Sequence, residues 1–308
     1  PEDNTYANGV LGGVVSALNV LCSRGDNVLV HAPTYIGFTH ALEDNGYHIV
    51  HSSLTLDQEG IWRMDYQDME RKIQENKIHA AILCSPHNPC GRVWERWELE
   101  KAMELYKKYD VYVISDEIWS DLILPGYKHI PTQAISEDAK MRTVAMYAPS
   151  KTFNLAGLAF SNIIIRDKDI RERFKERDKI SGMVNPLSLT AAQAAYEQGG
   201  AWHEALKEYL DGNFAFVKDF LARELPAAVM YIPEATYLAW VDMGRCLPAG
   251  TDLPDFFANK AGVLLEGGNA LFVGNAEGYI RLNLAMPRSI IERGLSRMAK
   301  AVRAEERR

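Results

Sequence analysis

The sequence predicts an α/β protein: a mainly parallel sheet with helices on both faces, followed by a smaller C-terminal α+β domain. Three observations carry this. Between about residues 27 and 166, short apolar runs rich in β-branched residues alternate with amphipathic stretches, the pattern of strands buried on both faces and of the helices that cover them. From 187 to 223 the chain reads as long helix, interrupted near Gly199 and Gly200. After Pro226 the period changes again, to short strands and one terminal helix.

Taken in order, residues 5–18 read as a phosphate-type turn running into a helix, with the glycines of NGVLGG (8–13) at its start. Val28, Leu29 and Val30 begin the strand series, which continues at 80–83, 111–114, 144–146 and 163–165. Helix-like segments lie at 35–44, 65–75 and 95–108; in the last, Trp97, Ala102, Leu105 and Tyr106 recur at helical spacing. Strands are predicted at 237–243 and 279–285, and an amphipathic helix at 290–304 after Pro287. The long helical stretch marks the divide, giving a large domain at 1–205 and a small one at 206–308. The charged tail at 303–308 is expected to fray. Pro1 stands where an initiator Met would, no signal peptide is evident, and a segment upstream of Pro1 is expected to be missing.

Composition narrows the classes of function. With 308 residues the chain can bury one large core and a smaller one. A hydrophobic share of 47% with 24% charged residues is that of a globular protein and excludes disorder as the main state. A net charge of −7 with no Lys/Arg run argues against nucleic acid as a partner. No apolar stretch approaches the ~20 residues a membrane helix needs, and the expected location is the cytoplasm. Cys22, Cys84, Cys90 and Cys246 read as reduced thiols rather than a disulfide framework. Neither they nor His31, His87 and His129 have metal-ligand spacing, so no metal is expected.

Polar motifs follow the apolar runs directly: SPHNPCG (85–91), SDEIWSD (115–121) and APSKTFN (148–154). Ligands of open α/β sheets bind at the carboxyl ends of strands, so these loops converge on one crevice. A lysine there, Lys151, can condense with an aldehyde cofactor, and such sites pair the lysine with an acid at the cofactor's ring nitrogen. Asp116 is the candidate acid, and Asn88 can donate its amide to a ring oxygen. Tyr35, in APTYIGF (32–38), can lay its ring against that of the cofactor. The N–H groups of Leu11 and Gly12 and the hydroxyl of Ser150 can hold a phosphate.

Together SPHNPCG, SDEIWSD, SKTFNLAGL (150–158) and YIRLNLAMPRS (279–289) resemble the fold-type I pyridoxal-phosphate (PLP) enzymes of the class I/II aminotransferase superfamily. Within it the chain is most similar to the MalY/PatB branch of cystathionine β-lyases and related C–S lyases, as TYLAWVDM (236–243) and AMPRS (285–289) also suggest. The resemblance implies that Lys151 carries PLP, that Asp116 contacts its ring nitrogen and Asn88 its phenolic oxygen, and that Tyr35 stacks on it. It further implies that Arg281 binds the substrate α-carboxylate, for which a bidentate guanidinium is suited, and that the protein is a homodimer acting on a small amino acid. Cys90, Trp119, Ala148 and Ala159 depart from the residues common elsewhere in the superfamily; at Ala159 the lyase branch shares the departure.

Each residue alone has a plainer reading. Asp116 can be a helix cap, Asn88 a turn residue before Pro89, Tyr35 core packing, and Arg281 half of a structural salt bridge. His31, His87 and His129 read as structural or surface residues, Glu117 and Asp121 as structural. Trp119 could wall a pocket or simply pack. The expected reaction is β-elimination from a sulfur-containing amino acid, giving thiol, pyruvate and ammonia. An aminotransferase needs the same lysine, acid and arginine and stays open as an alternative, as does a non-catalytic regulatory module that keeps the PLP fold.

Overall fold

The computed structural model describes residues 2–178 and 184–306. Its strands in chain order are β1 (Asn4–Ala7), β2 (Asn27–Ala32), β3 (His48–Ser53), β4 (Thr55–Leu56), β5 (Trp62–Arg63), β6 (Ala80–Cys84) and β7 (Tyr112–Asp116). They continue with β8 (Thr143–Tyr147), β9 (Ser161–Ile165), β10 (Val229–Met230), β11 (Leu238–Asp242), β12 (Glu266–Gly267) and β13 (Tyr279–Asn283). The helices are α1 (Gly9–Leu21), α2 (Ile36–Glu43), α3 (Tyr66–Asn76), α4 (Arg96–Lys108), α5 (Glu137–Arg142) and α6 (Pro149–Thr152). After them come α7 (Lys168–Asp178), α8 (Pro186–Gln198), α9 (Gly200–Glu224), α10 (Leu253–Phe256) and α11 (Arg288–Glu306).

The large sheet has the order β1-β9-β8-β7-β6-β2-β3. Strands β3, β2, β6, β7 and β8 run parallel, and β9 runs antiparallel to both β8 and β1. Every residue of β6 is buried, as the unbroken apolar run Ala80–Leu83 requires of a strand covered on both faces. Local signals set the helix starts. Asp65 accepts from the backbone N–H groups of Gln67 and Asp68 at 3.1 and 3.0 Å, and Glu95 and Glu98 form a reciprocal capping box that opens α4. The second sheet is antiparallel, in the order β10-β11-β13-β12. Its core is joined by α11 and by the α9 face carrying Leu210, Phe214, Val217 and Leu221. The expected 205/206 divide thus falls inside α9.

Two expectations need correction, and a third gains a direction. Residues 5–7 are strand β1 rather than part of a turn, held by pairing with β9 far away in sequence. The run at 163–165 is a strand, as expected, and runs antiparallel to β8, a direction that apolarity alone does not report. Helix α11 continues through Glu306, with Arg303 paired to Glu224, so the tail to that point does not fray; residues 307–308 lie outside the described residues, as does Pro1.

His31 and His87 are buried at 3% and 2% exposure, each beside the Trp94 ring, with centroids 6.5 and 5.7 Å from it. Burial first of all depresses both imidazoles, with Asp68 pulling His31 partly back; His31 falls to about 4 and His87 to about 3. Their neutral forms are therefore what the fold accepts. The unfolded chain binds protons below about pH 6.5 and the folded chain only near 4, so stability is lost as pH falls through that window. For His31 alone the difference is on the order of 3 kcal/mol. We expect the urea midpoint to drop steeply between pH 6.5 and 4.5, and His31→Leu to flatten the drop. Parallel pH profiles for the two proteins would refute the assignment.

Candidate active site

The carboxyl ends of β2, β6, β7 and β8 open into one cavity of about 940 Å³, of the size that holds cofactors and drug-sized ligands. Each strand delivers at least one polar group. Tyr35 follows β2 as the residue before α2; Asn88 lies in the loop after β6; Asp116 ends β7; Ser150 and Lys151 lie in α6, just after β8. Leu11 stands at the start of α1, and Arg281 comes from β13 of the small sheet. Seven of the eight residues expected from the sequence therefore line one wall or another of the same cavity. Gly12 does not: it lies one position beyond Leu11, in the exposed part of the helix. The lining at that end is Asn8, Gly9, Val10 and Leu11.

Helix α1 begins at Gly9 and has no acidic residue in its first turn. Its first four N–H groups have no acceptor within the helix, and with the dipole behind them they favour an anion at this end of the cavity.

Asp116 is 5% exposed. Burial lifts its carboxyl to about 6, opposed by the Ile118 backbone N–H donating to Oδ1 at 3.0 Å and by the charge of Lys151. Lys151 is depressed, again chiefly by burial, with Asp116 pulling it up and Arg281 pushing it further down. Its ammonium nitrogen lies 5.5 Å from the centre of the Trp119 ring. Trp119 takes both of the roles left open for it: it lines the cavity, and it packs edge-on against Tyr237 at 4.7 Å within the second core.

The lysine's neighbours are fixed on both sides. Thr152 donates its hydroxyl to Asp121 at 2.9 Å. Phe153 sits among Tyr196, Trp202 and His203, and a Cβ on Gly199 would come within 2.5 Å of its ring. The bare backbone between α8 and α9 thus makes room for the ring that anchors the lysine turn. Tyr35 has a matching arrangement. A Cβ on Gly37 would lie 2.3 Å from Tyr35 Cε1 and 3.0 Å from Leu11 Cδ1, so the tyrosine ring packs against the start of α2 because Gly37 leaves it space.

Asp121 and Glu117 are structural, as expected. Glu117 is fully buried and accepts from Ser115, His129, Thr132 and Tyr147, which also gives His129 a structural place. Arg281 donates from Nη1 to Asn88 Oδ1 at 2.7 Å and from Nη2 to Glu266, with its guanidinium carbon 4.8 Å over the Phe272 ring. The salt bridge considered for it thus exists, inside the cavity. Glu266 and Tyr237 were not anticipated. Glu266 sits in LLEGG, which reads as a charged turn; only its register opposite Arg281 reveals it.

A buried acid beside a depressed amine, facing an anion-binding helix start, defines a site for a phosphorylated aldehyde cofactor, and the donor set fits PLP. The chain belongs to the class I and II aminotransferase family, whose model matches residues 1–298. It is similar to the cystathionine β-lyase PatB of Bacillus subtilis, 39% identical over 98% of this chain and 78% of the relative. The protein MalY of Escherichia coli is 31% identical over 97% and 76%. The PLP-bound C-S lyase of Staphylococcus hominis complexed with L-cycloserine superposes with a TM-score of 0.93 at 38% identity, over 98% of this chain and 74% of that one. Within its family the chain falls in the MalY/PatB-like branch.

Proposed function

We propose that this chain is a PLP-dependent C–S β-lyase that cleaves the Cβ–S bond of a sulfur-containing amino acid, cystathionine or a close analogue, to thiol, pyruvate and ammonia. The observation that carries the reading is the convergence of Lys151, Asp116 and Arg281, from separate elements, on one cavity. Its similarity to PatB and to the S. hominis C-S lyase supports the branch.

When bound, PLP supplies an electron-withdrawing ring that acidifies the substrate Cα–H. The residues do the rest. The N–H groups at the start of α1, with the Ser150 hydroxyl, would hold the phosphate. Asp116 would sit at the ring nitrogen, and a proton shared there keeps the carboxylate paired in its buried position. Asn88 is oriented by Arg281: its carbonyl accepts from the guanidinium, which leaves its NH₂ as the end that would donate to the phenolic oxygen. Tyr35 would stack on one ring face. Arg281 has five N–H donors, enough to bind an α-carboxylate while still bonding Asn88. Lys151, its amine kept neutral more easily by burial, takes the Cα proton as general base. Loss of thiolate from Cβ would follow; a proton makes it the thiol, and water hydrolyses the released enamine to pyruvate and ammonia.

The reading extends to a homodimer, for which the exposed Leu187, Tyr196 and Trp202 of α8 and α9 offer apolar surface, and to the cytoplasm, where the four free thiols would stay reduced. Among the described residues no helix is long and apolar enough to cross a membrane. Incubation with PLP and L-cystathionine tests the chemistry: pyruvate is expected without any added keto acid. Product formation only when an amino-group acceptor is supplied would replace the lyase by an aminotransferase.

A further inference from the structure

Two acids line the cavity, Asp116 and Glu266, and only the first has a place in the chemistry above. Glu266 of β12 stands directly opposite Arg281 of β13 in the antiparallel register, so both side chains leave the same sheet face. Its carboxylate accepts from Arg281 Nη2. The two members differ in exposure: the arginine side chain is 11% exposed and that of Glu266 49%. The cation is fixed by Asn88 on one edge and Phe272 beneath, whereas the anion is half in water.

We propose that Glu266 is an internal counter-ion, which neutralises Arg281 in the substrate-free enzyme and must yield to the substrate's α-carboxylate. The inference rests on the reading of Arg281 as the carboxylate site. A largely buried guanidinium without a partner is costly, so an empty site is more stable with Glu266 in place. The incoming carboxylate then exchanges one anion for another, and Glu266, being half-exposed, can turn to solvent. That exchange removes part of the binding energy of every amino acid, whatever its side chain, because each enters through the same group. Glu266 therefore raises the dissociation constant and KM in common and leaves the bond-breaking steps alone.

The test titrates L-alanine into the PLP-loaded wild-type, Glu266→Gln and Glu266→Ala proteins, following cofactor absorbance. L-Alanine has no leaving group on Cβ, so its binding is read whether or not the enzyme eliminates thiol. Both variants are expected to bind L-alanine about two- to fivefold more tightly, the range of a half-exposed ion pair, with unchanged spectra before ligand is added and melting temperatures slightly below wild type, as the loss of the counter-ion requires. Where L-cystathionine turns over, KM falls with kcat held. Equal or weaker binding by both variants would overturn the proposal and make Glu266 a positioning residue for Arg281. No L-alanine binding by any of the three proteins overturns it too, by removing Arg281 as the carboxylate site. Absence of pyruvate alone counts against the lyase and leaves the binding comparison intact.

Discussion

Lys151→Ala and Lys151→Arg are each expected to lower kcat on the order of 10³-fold or more, the loss that follows removal of a general base that also anchors the cofactor. Arginine separates the two properties of this position. It keeps a cation near Asp116 but stays protonated at every working pH, so it can neither take the Cα proton nor condense with an aldehyde. If a positive charge were all that the site required, Lys151→Arg would retain activity. Damage to the fold does not explain such a loss. Burial depresses the Lys151 amine, so the folded chain binds fewer protons than the unfolded one just below pH 10.5, and the lysine is a stability cost at neutral pH. The alanine variant's apo-protein is therefore expected to melt no lower than wild type. The visible absorbance of the lysine-linked cofactor should vanish in both variants, and a small primary amine should restore part of the turnover in Lys151→Ala. Turnover within tenfold of wild type in a folded Lys151→Ala protein would remove Lys151 from the mechanism.

Much of this site is legible in the sequence because its parts follow strands that cannot be anything else. Ala80–Cys84 and Val111–Ile114 are too short for helices and too apolar for loops, and both become central strands. The residues after them then have to meet at one end of the sheet, which places Asn88, Asp116 and Lys151 together before any distance is known. Their assignment to particular atoms of PLP came from resemblance instead, since Asp116 alone reads as well as a cap. Other features leave no local trace. Strand β1 spans four residues and exists because β9, over 150 positions on, offers it a ladder. The direction of β9 depends on the connection before it and not on its apolar residues. Glu266 looks like a solvated turn charge until the register sets it against Arg281. The burial of His31 and His87 is equally hidden, because a lone histidine carries no periodic signal.

Asp116→Asn separates stability from function at a single atom pair. In the apo-protein the carboxyl of Asp116 titrates at about 6 against an ordinary value of 3.8, mainly through burial. The folded chain thus holds a proton through a pH window in which the unfolded chain has released it, and stability declines as pH rises from about 4 to about 6. Above that window the full difference applies, about two pK units or on the order of 3 kcal/mol. Asparagine has nearly the same shape, carries no charge and escapes this cost. The apo-form of Asp116→Asn is therefore expected to melt about 5 °C higher than wild type at pH 8, and the two should converge as pH falls below 3.8, where Asp116 becomes protonated in both states. The histidines titrate identically in the two proteins and cancel from the comparison. With PLP the order is expected to reverse in function: the variant loses the charge at the ring nitrogen, and kcat falls on the order of 100-fold or more. Binding of PLP should also raise the melting temperature of the variant less than that of wild type. The carboxylate is then a group the fold would be more stable without, kept in place by the chemistry it serves. A variant that melts below wild type at pH 8 would show instead that Asp116 holds the β7 turn together, through the bond it accepts from Ile118.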